Sequence, residues 1–416
     1  MLNVAEFHPA RVVPAPVASA RAPRIVLYSH DTLGFGHLRR NLLLAAGLKA
    51  SARAPEILLV GGMREAGAFE LPEGVDCITL PAYAKGSDGQ YRPRDLGGDL
   101  APLTALRSAA IKAAVTAFAP DLMVVDNVPR GALCELDATL EALRARGGTR
   151  LVLGLRDVID EPAVVRRQWL RQRNFEAVRR FYDAVWIYGD PSLYDIAAEC
   201  GLGGAFAGRE RFVGYLDPSS RLRSPLAANE RDAALGGDPR PYVFGAVGGG
   251  RDGAALCEAF ARATFPEGHR GVLVTGTQMP EPLRERVRAA AAGRDDLVVL
   301  PFVREPIGLM AGAARIVAMG GYNTVCELLA LGRPSLVVPR ARPRAEQALR
   351  AERLAARGLV STLHPDALSP GALAAWLAAE PPAPTGPAPD MGGVARVRAL
   401  AEAMLAPSAA PLARAV

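Results

Sequence analysis

Short apolar runs that end in a glycine turn and lead into a helical pattern recur along the chain, and they restrict its fold more than any other feature. Residues 24–29 form such a run in the first half, and Tyr242–Ala246 opens the second half in the same way. Strands and helices that alternate at this spacing predict parallel, doubly wound α/β sheets. Ligands of such sheets bind beyond the carboxyl ends of the strands, so two sheets facing one another would form a cleft.

The 416 residues are enough for two Rossmann-like domains, each with its own core. We expect a flexible tail over residues 1–23, a first domain over 24–218, a linker over 219–240, a second domain over 241–392, and a terminal helix and tail over 393–416. The linker is predicted from a stretch that mixes Pro, Gly, Asn and charged residues without a clear period.

Composition narrows the classes of protein. The 5 cysteines are scattered and lack CxxC spacing, which favours reduced cytosolic thiols over disulfides or a zinc site. The net charge of +6 is compatible with an anionic ligand or an anionic membrane surface. Sparse aromatics and the lack of a basic run argue against nucleic-acid binding.

With no membrane-spanning run and no signal-peptide pattern, we expect a cytoplasmic protein. A peripheral position on the inner face of the membrane stays open.

One stretch of the second half, residues 316–347, combines the features of a nucleotide-binding turn. A buried strand ends in Gly320 and Gly321, which allow a tight turn and the approach of a ligand. Asn323 is a good N-cap, and residues 324–331 are predicted to form a helix. A glycine turn that opens a helix presents free N–H groups and a positive dipole end, which suit a phosphate.

Three polar residues follow this turn. Glu327 lies about 200° round the helix from Val325 and so points away from the face that packs on the sheet. A carboxylate at this point can accept hydrogen bonds from ribose hydroxyls. Glu346 and Gln347 follow the next strand and could contact sugar hydroxyls. The alternative is an ordinary βαβ turn with a solvated glutamate.

The sequence GGYNTVCELLALGRPSLVVPR followed by EQ resembles the donor-binding segment of GT-B glycosyltransferases, in particular the MurG-like branch that uses UDP-N-acetylglucosamine. In that family the glycine turn and the helix start hold the diphosphate, the helix glutamate holds the ribose, and the later pair contacts the donor sugar. The resemblance gives these roles to residues of the second half, namely Gly320, Gly321, Asn323, Thr324, Glu327, Glu346 and Gln347.

Two further segments of the second half resemble donor-binding parts of the family. Gly248, Gly249 and Gly250 follow the first strand of this half, where the family's turn approaches the donor phosphates. Many strand–helix turns use glycine, so the motif alone is a weak signal. Phe302 and Val303 resemble the segment whose backbone would contact uracil. A core phenylalanine is the alternative.

In the first half, Gly34, Gly36 and His37 are similar to the first glycine loop of MurG-like enzymes and of nucleotide-sugar hydrolases. The resemblance implies that the glycines face the acceptor and that the histidine lies near the reacting carbon. An imidazole can take a proton from an acceptor hydroxyl or a water near neutral pH. Asp31 could orient or replace His37. The alternative is a histidine that caps the helix or binds phosphate passively.

Other polar residues end strands on the acceptor side. Asp126 follows one strand, and Arg156 and Asp157, which we expect to contact the acceptor, follow the next. Either carboxylate could be the base if His37 is not, and loop capping is the alternative for each. Arginines around Trp169 could bind an anionic acceptor or an anionic bilayer, with a solvated helix face as the alternative.

No DxD, HExxH or clustered His/Cys pattern is present, so we expect no bound metal and no required cofactor. Helix dipoles and backbone N–H groups would then stabilise the leaving diphosphate. The resemblance implies an inverting transfer from a UDP-activated sugar, of the UDP-N-acetylglucosamine type, to an acceptor hydroxyl on a glycan, a lipid-linked molecule or a small molecule. A nucleotide-sugar hydrolase or epimerase of the same fold, and a non-catalytic nucleotide-sugar-binding protein, stay open.

Overall fold

The computed structural model describes residues 21–30, 36–62, 71–85, 90–340, 342 and 344–406. Its strands, in chain order, are β1 (Arg24–Tyr28), β2 (Glu56–Gly61), β3 (Val75–Thr79), β4 (Tyr83–Lys85), β5 (Tyr91–Pro93), β6 (Leu122–Asp126), β7 (Arg150–Arg156), β8 (Ala184–Tyr188), β9 (Glu210–Phe212), β10 (Tyr242–Ala246), β11 (Arg270–Val274), β12 (Leu297–Leu300), β13 (Arg315–Ala318), β14 (Ser335–Val337) and β15 (Ser361–Thr362).

The helices occupy the connections between these strands and the end of the described chain. They are α1 (Gly36–Lys49), α2 (Leu100–Phe118), α3 (Asp137–Arg146), α4 (Pro162–Arg171), α5 (Asn174–Phe181), α6 (Ile196–Glu199), α7 (Gly203–Phe206), α8 (Pro225–Leu235), α9 (Ala254–Arg262), α10 (Glu281–Ala291), α11 (Ile307–Gly312), α12 (Tyr322–Leu331), α13 (Glu346–Ala355), α14 (Pro370–Ala378) and α15 (Gly393–Leu405). Among the described residues, none of these helices is long and apolar enough to cross a membrane.

The first sheet has the strand order β3-β2-β1-β6-β7-β8-β9, and every pair of neighbours is parallel. Its interior strand β1 is buried from Ile25 to Tyr28, because both faces of the sheet are covered. Ile25 and Leu27 pack into one core, whereas Val26 and Tyr28 pack into the core on the opposite face. Because β1 and β6 are neighbours, the residues that follow them meet at one edge of the sheet.

The second sheet is also parallel, with the order β12-β11-β10-β13-β14-β15. Its central strands β10 and β13 are paired, with Gly245 opposite Val317. The loops that follow these two strands therefore lie side by side. The prediction of two parallel α/β domains is confirmed.

The stretch predicted as a linker contains regular structure. Ser219–Arg223 forms a 3₁₀ turn, and α8 follows it, with the Ser224 hydroxyl accepting from the Leu226 amide at 3.3 Å. A Cβ on Gly308 of α11 would collide with the Ala227 carbonyl, so α8 and α11 are in close contact. The helix was missed because its fully buried positions are alanines, which give little hydrophobic periodicity.

The last described helix lies on the first domain. A Cβ on Gly47 of α1 would collide with Val394 of α15, and the Gly393 amide donates to the Tyr215 carbonyl at 3.0 Å. A helix that returns from the second half to the first is what the resemblance suggests for this part of the chain.

Candidate functional site

His37 and Asp126 come together at the carboxyl edge of the first sheet. His37 is the second residue of α1, and its Nδ1 hydrogen-bonds to the Asp126 carboxylate at the end of β6. The Asp126 carboxylate only accepts hydrogen bonds, so we assign the proton of the neutral imidazole to Nδ1, which also lies 2.9 Å from Arg40 Nη2. The Nε2 lone pair is then available to take a proton. The two side chains meet because their strands are neighbours in the sheet.

Arg40 completes this cluster. It lies one turn after His37, and its Nε donates to Asp126 Oδ1 at 3.0 Å while its Nη2 donates to Oδ2. Burial raises the pKa of Asp126, but Arg40 and His37 outweigh that effect and hold the pKa well below its ordinary value. An ionised carboxylate that is already bound on both oxygens orients the imidazole better than it accepts a proton. Arg40 was not among the predicted site residues, although it follows the glycine motif.

His30 is a second imidazole beside the cluster. Its ring centroid lies 4.8 Å from that of His37, and within the described part of the chain its buried Nδ1 has no hydrogen-bond partner. Burial lowers the pKa of His30 well below its usual value, and the neighbouring imidazole of His37 lowers it further. The predicted residues Asp31 and Gly34 lie outside the described part of the chain.

The donor-side helix α12 begins two residues earlier than predicted. Gly321 occupies the N-cap position with φ −62° and ψ 147°, and Tyr322 is the first helical residue. The prediction that Asn323 caps this helix is wrong. Its side chain instead donates from Nδ2 to the Gly36 carbonyl of α1 at 2.8 Å. The starts of α1 and α12, from different domains, are therefore in contact, with Thr324 in the first turn of α12.

The two glycines before α12 differ in their surroundings. A Cβ on Gly320 would lie 3.1 Å from Val337 Cγ1, so close packing against β14 favours glycine there. A Cβ on Gly321 would have no heavy atom closer than Thr324 Oγ1 at 4.0 Å. The space beside Gly321 is open, and it adjoins the first-turn amides, which have no partner within a helix.

Glu327 is covered by a side chain from the stretch predicted as a linker. The glutamate is 5% exposed, and its Oε1 accepts from Arg221 Nη1 at 2.8 Å. The alternative of a solvated glutamate is therefore wrong, because Glu327 is buried in an ion pair. Arg221 could not be anticipated, because it is 106 positions away along the chain.

Glu346 and Gln347 begin α13 and are both buried. Glu346 Oε2 lies 2.9 Å from Arg156 Nη1, an ion pair between predicted donor-side and acceptor-side residues. Burial raises the pKa of Glu346, but Arg156 and other arginines outweigh it, so the pKa lies below its usual value. Gln347 Oε1 accepts from the Arg340 amide at 3.0 Å.

Asp157, predicted to contact the acceptor, is bound to the second domain instead. Arg350 Nη2 donates to its Oδ1 at 2.7 Å, and the Tyr215 hydroxyl donates to its Oδ2 at 3.0 Å. Arg350 Nη1 also donates to the Gly320 carbonyl at 3.1 Å. Both carboxylate oxygens are occupied, so the structure assigns Asp157 to the contact between the domains and not to an acceptor site.

The glycine loop after β10 lies next to the Gly320 turn. Gly248 and Gly250 have φ of 62° and 91°, a left-handed conformation that favours glycine. A Cβ on Gly250 would collide with the Thr275 carbonyl, and the Gly249 carbonyl accepts from the Gln278 amide at 2.8 Å. The loop is therefore fixed against the end of β11, at the same edge as α12.

Phe302 and Val303 follow β12 at this edge. Phe302 is 37% exposed, so it is not a core residue, whereas Val303 is 7% exposed and packs in the core. In the part of the chain that the structure describes, no three His, Cys, Asp or Glu side chains converge as a metal site would require.

Comparisons with known proteins agree with this geometry. Residues 247–391 match the glycosyltransferase family 28 C-terminal domain. A UDP-N-acetylglucosamine–N-acetylmuramyl-(pentapeptide) pyrophosphoryl-undecaprenol N-acetylglucosamine transferase from Methylorubrum extorquens is 35% identical over 159 residues, which are 37% of this chain and 41% of that enzyme. The enzyme of the same name from Halorhodospira halophila is 35% identical over 165 residues, which are 38% of this chain and 43% of that enzyme. The similarity thus spans less than half the length of these relatives.

Solved structures resemble nearly the whole chain. The calicheamicin glycosyltransferase CalG4 has a TM-score of 0.55 at 18% identity, with 92% of this chain and 94% of that chain covered. MurG from Acinetobacter baumannii has a TM-score of 0.51 at 16% identity, with 85% and 89% covered. These likenesses confirm the GT-B fold. Together with the family 28 match, they confirm the resemblance to MurG-like glycosyltransferases.

Proposed function

We propose that this chain, whose second half carries a glycosyltransferase family 28 C-terminal domain, is a glycosyltransferase that moves a sugar from a UDP-activated donor to an acceptor hydroxyl. The observation that carries the proposal is the contact between the start of α1, which bears the His37–Asp126 pair, and the start of α12, made by the Asn323–Gly36 hydrogen bond. One domain supplies a base and the other a helix start suited to a diphosphate. UDP-N-acetylglucosamine is the donor we infer, because the curated relatives are named for it.

In the proposed reaction, His37 Nε2 takes the proton of the acceptor hydroxyl while the hydroxyl oxygen attacks the anomeric carbon of the donor sugar. The bond between that carbon and the diphosphate oxygen breaks, and its electron pair leaves with UDP. A single displacement of this kind inverts the anomeric configuration. Asp126 stabilises the imidazolium that forms, and Arg40 keeps Asp126 ionised and in place.

The charge of the departing diphosphate falls at the start of α12. First-turn amides and the helix dipole stabilise negative charge there without reorganising during the reaction. The adjoining Gly248–Gly250 loop supplies a second stretch of closely approachable backbone. We therefore propose that the protein itself stabilises the leaving group.

A nucleotide screen tests the donor. UDP, GDP, CDP and dTDP and their sugars are tested for a shift of the melting temperature, and the best sugar nucleotide is then tested for release of its nucleotide with and without acceptor hydroxyl compounds. We expect UDP and UDP-N-acetylglucosamine to give the largest shifts, and UDP release to depend on an acceptor. If no nucleotide stabilises the protein, the proposal is wrong. Release that proceeds equally without acceptor identifies a hydrolase or an epimerase.

A further inference from the structure

Arg221 connects two carboxylates beside the predicted nucleotide site. Its Nη2 and Nε donate to Glu305 Oε1 and Oε2 at 2.5 and 2.9 Å, and its Nη1 donates to Glu327 Oε1 at 2.8 Å. The Arg221 side chain is 18% exposed, and those of Glu305 and Glu327 are 14% and 7% exposed. Charge-assisted, two-pronged bonds of this kind fix a guanidinium in both position and plane.

The position of Glu305 is itself fixed. Its amide donates to Glu230 Oε2 of α8 at 2.7 Å, and its Oε1 accepts from the Ile307 amide at the start of α11 at 3.3 Å. Arg221 is thus held on one side by a carboxylate that belongs to the packed second domain. On the other side of the guanidinium, Nη1 holds the carboxylate of Glu327.

The first domain reaches the same place. Arg39 of α1 donates from Nη2 to the Arg304 carbonyl at 2.5 Å. Burial lowers the pKa of Arg39, and the nearby charge of Arg221 lowers it further. The cluster therefore combines positive groups from α1 and from the 3₁₀ turn with the carboxylates of Glu305 and Glu327.

We propose that Arg221 is a positioning residue for the donor, which holds Glu327 Oε1 so that Oε2 is directed to the ribose hydroxyls. The inference rests on the proposed function, because it needs a nucleoside diphosphate at the start of α12. Within the described residues, Arg221 donates to Oε1 and no donor reaches Oε2. Without Arg221, the carboxylates of Glu327 and Glu305 would face each other uncompensated, and Glu327 would lose its fixed rotamer.

The test compares each ribonucleotide with its 2′,3′-dideoxy form, because only the ribose hydroxyls differ. Affinities of UDP and 2′,3′-dideoxy-UDP are measured by calorimetry for the wild type, Arg221→Lys and Glu305→Gln. We expect the wild type to prefer UDP by about 10- to 100-fold, the range for hydrogen bonds to a charged group. In Arg221→Lys the preference should fall to within about threefold, while the affinity for dideoxy-UDP stays nearly constant, since a lysine keeps the charge without the fork.

Glu305→Gln keeps Arg221 but weakens its anchor, so it should reduce the same preference to a smaller extent. Arg231→Lys on α8 is the matched control, because Arg231 is in the same stretch of chain and pairs with Asp232 at an exposed position. It should leave both affinities unchanged. Melting temperatures of all variants show that the comparison is made on folded protein.

The outcomes separate the two proposals. If Arg221→Lys weakens UDP and dideoxy-UDP equally, Arg221 acts on the phosphates, and the positioning role is wrong. An unchanged preference overturns it as well. The same measurement is made with GDP and dideoxy-GDP. If the preference depends on Arg221 for GDP while UDP does not bind, the UDP donor is wrong and the role of Arg221 stands. If no ribonucleotide binds, both proposals fail.

Discussion

The two sides of the proposed site, one on each domain, are built differently. On the first domain, His37, Asp126 and Arg40 bind one another and belong to one sheet edge. On the second domain, the predicted donor residues take partners from elsewhere: Glu346 from β7, Glu327 from the 3₁₀ turn, and Asn323 from α1. The proposed catalytic group is therefore assembled within one domain, whereas two of the three proposed donor residues, Glu346 and Asn323, take partners from the other domain. Substitutions of His37, Asp126 or Arg40 should affect the rate of the chemical step. Substitutions of Glu346, Glu327 or Asn323 should affect donor binding and the contact between the domains.

The largest effect is expected at His37. His37→Gln removes the proposed base but keeps a polar side chain, so kcat should fall by about 10²- to 10⁴-fold, the usual contribution of a general base. UDP affinity should stay within about twofold, because the base lies on the opposite domain. Initial rates and calorimetry measure the two quantities. Unaltered turnover would show that another residue is the base. A loss of UDP affinity equal to the loss of kcat would show that the two domains do not have separate roles.

The contact between the domains should be the next most sensitive. Asp157→Asn leaves the Arg350 guanidinium, which is 1% exposed, without its charged partner. Removing one partner of a buried ion pair costs about 3–5 kcal/mol. Urea unfolding measures this loss of the free energy of unfolding. As a control, Asp390→Asn breaks an ion pair with Arg396 in which both side chains are more than 40% exposed, and it should cost less than about 1 kcal/mol. Equal costs for the two variants would contradict the prediction.

His30 gives a pH-dependent effect on the first domain. Its pKa in the folded protein is well below its usual value, so below about pH 6.5 the unfolded chain binds a proton that the folded protein does not. The contribution of His30 to the free energy of unfolding therefore decreases as the pH falls from 6.5 toward the folded pKa, by at most about 1.4 kcal/mol per pH unit. Below the folded pKa the loss stops.

Comparing wild type with His30→Asn over this pH range isolates the effect, because asparagine is polar and does not titrate. The wild type should lose stability on acidification faster than the variant. Parallel curves for the two proteins would show that His30 binds its proton equally in the folded protein and in the unfolded chain, and the prediction would be wrong.

The smallest effect is expected for Asn323→Ala. This change removes the 2.8 Å hydrogen bond to the Gly36 carbonyl, which is worth about 0.5–1.5 kcal/mol. Because the bond joins the two halves, the KM for the donor should rise by about 2- to 10-fold, with kcat less affected. Steady-state kinetics with varied donor measure both. A change confined to kcat would place Asn323 with the His37 cluster and blur the comparison.

Sequence periodicity predicted the parts of this molecule that follow from local chemistry. The parallel strands and the glycine turns at their carboxyl ends follow from apolar runs that alternate with helical patterns. The contact of His37 with Asp126 was not predicted, because it depends on β1 lying beside β6 in the sheet. The partners of the buried carboxylates were not predicted either, because Arg221 and Arg350 are long side chains that reach across the fold from distant segments. The start of α12 was misplaced because Asn323, a strong capping residue, is used for a contact with the other domain.

The ring of Tyr322 has a consequence for engineering this scaffold. It is the first residue of α12 and lies 5.6 Å from the Arg40 guanidinium and 5.7 Å from that of Arg350. Arg40 binds Asp126, and Arg350 binds Asp157. Both carboxylates belong to the first domain, whereas Tyr322 belongs to the second. A second domain grafted from a relative, in order to change the donor sugar, would need matching aromatic and basic groups at these positions. Otherwise the carboxylates of the first domain would face side chains that do not match them. Chimeras should therefore exchange the residues of this contact between the domains together with the second domain.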